Sequence, residues 1–361
     1  IGWCDWSSDV CSSDLAMYQA ILAAKKSVYW EVYAFVDDEA GKPFFDLLVE
    51  KSKAGLDIKI IVDSIGSYNL SDEQVKLLRL DGVDIRFFQE RTKKFRSWWK
   101  RLWTRTHRKI LIIDEKVGFI GGVNIRQDMR DWLDIHMRLE GKVVRSLLRA
   151  FAKSYVICGG DKKFVRHLLK YRFRLLHDRA EFVFDEPDES RSAARRNYSE
   201  ALLKARERVI LFSPYYFPDK KFLYALWRAR KRGVRVDLLL PLRSDIRLMT
   251  YATYAWFSVM NKLGVNIHLT PQMMHGKGVI MDDEWAMIGS TNLEQTGFYH
   301  NYEANVRLKD RRVVRKIKNT ILKWIDSTEE FNIERWKERG WLQKVREKVA
   351  AFLYRLWHGD K

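Results

Sequence analysis

The stretch His107-Arg-Lys109-Ile-Leu-Ile-Ile-Asp114, followed after six residues by Gly121-Gly122-Val-Asn124, occurs twice in this chain. Its second copy reads His275-Gly-Lys277-Gly-Val-Ile-Met-Asp282, then six residues, then Gly289-Ser290-Thr-Asn292, and the spacing matches without a gap. Such self-similarity means one structural unit built twice.

The hydrophobic pattern around the motif repeats too. In the first half a helical stretch at 18–26 leads into the apolar run 28–36, a helix at 43–54 reaches Gly55 and the strand 58–62, and Gly82 precedes a strand at 83–88. In the second half 200–208 leads into 209–217, a helix at 220–232 reaches Gly233 and the strand 234–240, and Gly264 precedes 265–269. Strands alternating with helices of about ten residues predict an α/β fold of two similar domains, each a mixed β-sheet flanked by helices. Two such domains can pack about a pseudo-twofold axis, which would bring equivalent residues face to face. The expected boundaries are 16–160, a connector at 161–197 that holds a basic helix and the polar, Pro187-containing stretch 185–197, a second domain at 198–330, and a C-terminal basic amphipathic helix at 331–361. Residues 1–15 are set aside as a non-native leader, because 6–15 reads like translated sequencing-adaptor sequence. That leaves an upstream membrane anchor open.

Composition narrows the partners. A chain of 361 residues, 47% hydrophobic, can bury two cores. Its 66 Lys and Arg against 47 Asp and Glu give a net charge of +19, and 14 Trp accompany them. A basic and aromatic surface suits polyanions, either nucleic acid or anionic lipid, and charge alone does not choose between them. Cys4, Cys11 and Cys158 show neither metal-ligand spacing nor a disulfide framework, so a reducing compartment is the simpler reading. No apolar stretch approaches the ~18–20 residues a bilayer-crossing helix needs, and no signal peptide is visible.

The motif carries chemistry. On a strand, His and Lys two apart share a face, so both can reach one bound group. Small residues at Gly121-Gly122 and Gly289-Ser290 would let a phosphate approach the backbone, and Asn124 and Asn292 can donate to its oxygens. Each half also has a later carboxylate, Asp134 standing 27 residues after His107 and Glu303 standing 28 after His275. A carboxylate on one imidazole nitrogen fixes the tautomer and aims the other nitrogen. A lone His-x-Lys is usually structural, and a histidine among acids can be a zinc ligand. Here a lysine beside each histidine would repel a cation, so no metal and no other cofactor is expected, and duplication favours a functional reading.

The duplicated pattern His-x-Lys-x4-Asp-x6-Gly-[Gly/Ser]-x-Asn resembles the phospholipase D superfamily, over nearly everything from about 17 to 330. Within it the chain is most similar to bacterial cardiolipin synthases of the short type without N-terminal membrane spans. Trp30-Glu31-Val-Tyr33-Ala-Phe35, Phe119-Ile-Gly-Gly-Val-Asn-Ile125, Ser213-Pro-Tyr-Tyr-Phe-Pro218 and Met274-His-Gly-Lys277 carry that similarity. The resemblance implies a two-step, metal-independent displacement at phosphorus, with one histidine forming a phosphohistidine and the other serving as acid and then base. Carried onto this chain it makes His107 the nucleophile and His275 the acid/base, and the pseudo-symmetry of the two halves leaves the reverse order open. Lys109, Lys277, Asn124, Asn292, Gly122 and Ser290 would hold the phosphate, and Asp134 and Glu303 would orient the histidines. Asp114 and Asp282, the motif's aspartates, take a mainly structural role near the end of the sheet. One histidine must be neutral while the other is protonated, which is a coupled titration.

Two segments point to a membrane. From Gly82 to His107 is 25 positions, against 11 from Gly264 to His275, and the extra segment reads Lys93-Lys-Phe95-Arg-Ser-Trp98-Trp99-Lys-Arg-Leu-Trp103. Trp98, Trp99 and Trp103 interleaved with cations suit a lipid headgroup layer, although a solvated loop or base stacking would use the same residues. In the C-terminal segment Trp341, Leu342, Val345, Val349, Phe352, Leu353, Leu356 and Trp357 recur on one helical face, with Lys344, Arg346, Lys348 and Arg355 elsewhere. That face either lies on a bilayer or packs on the domain. The stretch 164–176 mixes cations and aromatics in the same way.

The expected activity is cardiolipin synthase-like phosphatidyl transfer between phospholipids such as phosphatidylglycerol, at the cytoplasmic side of the bacterial cytoplasmic membrane, on whose anionic surface the protein would sit peripherally. The alternative is phospholipase D-type hydrolysis of phospholipid or of nucleic acid, a partner ranked behind lipid. A silent binding module fits poorly, because both motif copies are intact.

Overall fold

The computed structural model describes residues 5–89, 104–169, 180–188 and 190–358. The chain divides into two compact units, the first formed by Ile1–Pro187 with Asn301–Val306, the second by Asp188–His300 with Arg307–Lys361.

The first unit is built on a seven-stranded mixed sheet: β1 (Asp5–Asp9), β2 (Ser27–Val32), β3 (Asp57–Asp63), β4 (Asp84–Phe88), β5 (Ile110–Ile113), β6 (Val117–Gly121) and β7 (Leu133–Glu140), in the order β1-β7-β6-β5-β2-β3-β4. Strands β2, β3 and β4 pair in parallel, while β5, β6, β7 and β1 join antiparallel. Helices Lys42–Lys53 and Asp72–Leu80 make the crossovers. Strand β2 is buried along its whole length, as expected of a central strand covered on both faces. Each fully buried Trp30, Phe35 or Phe45 contributes about 1.5–3 kcal/mol of hydrophobic stabilisation.

The second unit repeats the plan. Strand β8 (Ala180–Asp185) still belongs to the first unit; then come β9 (Arg208–Phe212), β10 (Arg235–Pro241), β11 (Asn266–Thr270), β12 (Gly278–Met281), β13 (Trp285–Gly289), β14 (Glu303–Leu308), of which Glu303–Val306 counts with the first unit, and β15 (Glu329–Glu330). Strands β9, β10 and β11 are parallel, and β12 returns antiparallel between β9 and β13. Gly55 and Gly233, at φ of 88° and 82°, end equivalent helices in the left-handed region, where a side chain would be strained.

Three expectations change. Of the leader set aside at 1–15, the described residues 5–15 pack within the first unit: β1 pairs along β7, Asp9 caps the helix Val10–Leu22 through the Ser12 amide (2.8 Å), and Val10, Met17 and Ile21 enter the core. The expected connector at 161–197 is divided. Helix Lys162–Leu169 buries Val165 and Leu168, sets the Phe164 ring 3.5 Å from the Lys59 ammonium and stays with the first unit, whereas helix Ala193–Lys204 starts the second. Finally, six residues beyond the second motif, Asn301–Val306, return to the first unit. The Trp98, Trp99 and Trp103 expectation lies outside the described residues, as do the later part of 164–176 and the side chain of Trp357.

Candidate active site

Both motif aspartates occupy one unusual backbone position. Asp114 and Asp282 follow β5 and β12 at φ of 51° and 50°, a region that aspartate tolerates better than most side chains. The reason is a clasp. Asp114 accepts backbone N–H bonds from Lys25 (3.0 Å), Lys26 (2.7 Å) and Ser27 (3.0 Å), at the entry of β2. Asp282 accepts the same three bonds from Arg206 (3.0 Å), Glu207 (3.0 Å) and Arg208 (2.8 Å), at the entry of β9. Each carboxylate thus locks the motif strand against the central strand of its sheet through charge-assisted hydrogen bonds.

His107 and Lys109 do not sit within a strand, as alternation implied; the extended segment 104–109 precedes β5, and His275 and Lys277 likewise precede β12. In both copies the lysine ammonium reaches back to the histidine's own carbonyl oxygen, at 2.9 Å for Lys109 and as a short bond for Lys277. All four side chains are buried, each lysine being only 1% exposed. A desolvated ammonium favours an anion beside it, which is what a phosphate supplies.

Glu303 grips His107. Both of its carboxylate oxygens lie 3.1 Å from Nδ1, and the side chain is fully buried. The carboxylate therefore accepts Nδ1–H, which leaves Nε2 as the nitrogen with the lone pair. The segment that carries Glu303 is held beside the motif by the parallel bridge Thr106–Tyr302, with His107 N–H donating to Tyr302 O at 2.9 Å and Tyr302 N–H to Arg105 O at 2.8 Å. Asn301 adds an amide N–H to the same carboxylate at 3.3 Å. Sequence offset had placed Glu303 with the histidine of its own half and Asp134 with His107.

Asp134 lies on β7 with its carboxylate accepting the Ile135 amide at 2.7 Å. A side chain on Gly122 would meet it, since a Cβ there would stand 2.1 Å from Asp134 Oδ1, and one on Gly121 would stand 2.3 Å from Ile135 O. Strand β7 presses on both glycines, so neither position has room for a side chain. Ser290 is fully buried. Asn124 Oδ1 accepts the Ala34 N–H at 3.1 Å, while Asn292 is buried with an Oδ1 that has no hydrogen-bond partner among the described residues.

Four neighbours escaped the sequence reading. Tyr33 sets its ring against His107 at 5.1 Å and under the Lys109 ammonium at 5.2 Å. Arg108, the middle residue of His-x-Lys, is 1% exposed and donates to Glu303 O, Asp185 O and Ser154 Oγ. Glu31 is fully buried and accepts the Thr106 hydroxyl; burial pushes its carboxyl above the usual range, against the pull of Arg108 and that hydrogen bond. His136, beside Asp134, is lowered to about 4 by burial and by the Lys109 charge, against the opposing pull of Asp134. Tyr33 and Glu31 fall inside the stretch 30–35 that carried the resemblance, which is the one signal that could have found them.

Two mixed α/β sheets, each bearing this motif with its aspartate clasp, define the phospholipase D-like class of phosphoryl-transfer proteins. The family model described as "Cardiolipin synthase, PLD-like domain" matches residues 17–151 and 198–324, and the chain belongs to that family. It is a phospholipase D-type phosphatidyltransferase by that membership. Cardiolipin synthase 2 of Bacillus anthracis is 30% identical over 354 residues, 94% of this chain and 68% of its own length. Cardiolipin synthase B of Escherichia coli K12 is 29% identical over 315 residues, 85% of this chain and 76% of its own. Among solved structures, phosphatidylserine synthase of Haemophilus influenzae Rd KW20 shares the fold with a TM-score of 0.76, at 13% identity, over 99% of this chain and 95% of that one. Among the described residues no helix is long and apolar enough to cross a membrane.

Proposed function

We propose that this chain moves a phosphatidyl group from one phospholipid, such as phosphatidylglycerol, onto the alcohol of a second lipid, with His107 and His275 acting on one phosphorus atom. The observation that carries the reading is the equivalence of the two motifs, each with a clasped aspartate and a buried lysine on the histidine carbonyl. Nothing in ordinary packing asks for that arrangement twice.

In the first step His107 Nε2 forms a bond to phosphorus and the bond to the departing alcohol oxygen breaks, with His275 giving that oxygen a proton. In the second the incoming alcohol gives its proton to His275 as its oxygen bonds to phosphorus, and the N–P bond breaks. Lys109 and Lys277 offset the charge on the non-bridging oxygens, and Glu303 stabilises His107 as it becomes cationic. The setting we propose is the anionic surface of the bacterial cytoplasmic membrane, on its cytoplasmic side.

The test is incubation with phosphatidylglycerol vesicles and, separately, with single-stranded DNA. Cardiolipin should form, and His107→Ala and His275→Ala should each lower its rate by about 10³-fold or more. Full rate in either variant removes the shared site. DNA cleavage without lipid turnover removes the lipid substrate, and phosphatidic acid in place of cardiolipin makes water the acceptor.

A further inference from the structure

Helix Trp341–His358 was expected to bury its apolar stripe or to lay it on a bilayer. It docks on the second unit with a different face. Ala350 and Tyr354 pack against Phe217 and Ala252, and Glu347, 2% exposed, is held by a two-pronged ion pair from Arg339 at 2.7 and 2.8 Å. The stripe Leu342, Val345, Val349, Phe352, Leu353 and Leu356 is left facing outward, 44–66% exposed. At 100° per residue it lies well over a quarter-turn from the docked face. Exposed Lys344, Lys348 and Arg355 border it on one side and Arg346 on the other. The helix's only acid is the buried Glu347.

The structure assigns this outward face to an anionic lipid bilayer. The charge pattern selects that occupant: a contiguous apolar strip with cationic borders matches acyl chains under phosphate headgroups. A second copy seated on the same face would set like-charged borders against each other, without an exposed acid on the helix to answer them. The docked side leads to the motif. Tyr354 OH donates to Glu294 and accepts the Gln295 amide at 3.1 Å. Glu294 caps the helix Gln295–Tyr299, two residues after Asn292. The helix that meets lipid thus holds the turn that follows the second motif, so bilayer contact and motif geometry share one rigid element. This rests on the phospholipid reading only for the choice of lipid.

Flotation of the full chain with vesicles tests it without turnover, so a chain that transferred nothing would still float. The wild type should bind phosphatidylcholine–phosphatidylglycerol vesicles, bind pure phosphatidylcholine weakly, and be released by salt. The double substitution Val349→Glu with Phe352→Glu, at exposed positions and with an unchanged far-ultraviolet dichroism spectrum as the folding control, should lower binding about tenfold or more. Unchanged vesicle binding in that variant overturns the assignment. So does a wild-type dimer in light scattering that the same substitutions split into monomers, because the face would then belong to a second copy.

Discussion

At the residue scale the decisive contact is Glu303 on His107 Nδ1, 3.1 Å from each oxygen. A glutamine there would keep the shape but lose the charge that stabilises imidazolium. Glu303→Gln should therefore lower kcat by about 10²–10⁴-fold with little change in KM, and move the acid limb of the pH–rate profile. Steady-state kinetics on phosphatidylglycerol would read both; equal loss in kcat and melting temperature would mean a packing role. The sequence showed this carboxylate but not its partner. Offsets of 27 and 28 residues suggested pairing within each half, whereas the Thr106–Tyr302 bridge brings a segment from the far end of the chain to His107. Tyr33 was hidden for the same reason, since ring contacts have no spacing rule.

At the scale of elements, the motif strands β5 and β12 owe their position to the aspartate clasps. Asp114→Ala removes three charge-assisted bonds and puts a less tolerant residue at φ 51°, and should cost about 2–4 kcal/mol in denaturant unfolding. Asp114→Asn, which tolerates that φ and keeps one acceptor, should cost about half as much. A loss of turnover without a loss of stability would instead place the carboxylate in the chemistry. Helical periodicity groups the C-terminal apolar residues in one stripe but does not say which way it faces, because direction depends on Glu347 and Tyr354 finding Arg339 and Glu294. The glycines show the same limit. Smallness at Gly122 was legible, while its cause, the Asp134 carboxylate, came from a neighbouring strand.

At the scale of the whole molecule, acid should lower the stability of the chain through two pH windows. His136 titrates near 6.5 when unfolded and at about 4 when folded, so between these values the unfolded chain holds the extra proton and stability falls as pH drops. Burial raises Asp237, but the His268 hydrogen bond and Arg208 and Arg235 outweigh it and lower the group to about 2, so its contribution is lost as pH falls from about 3.8 towards that value. Melting temperatures followed downward from about pH 7.5 should decline through both windows. His136→Asn should flatten the first, and an unchanged slope would show that the imidazole is not the group concerned. The chain alone determined the repeat, the alternation of strands and helices, and the residue types of the motif, because hydrophobic period and motif spacing are local properties written in order along the backbone. Tertiary structure alone decided which carboxylate serves His107, where one unit ends and the other begins, and which face of the last helix looks outward, because these depend on partners that spacing along the chain does not announce, 196 residues apart for His107 and Glu303 and 60 for Glu294 and Tyr354.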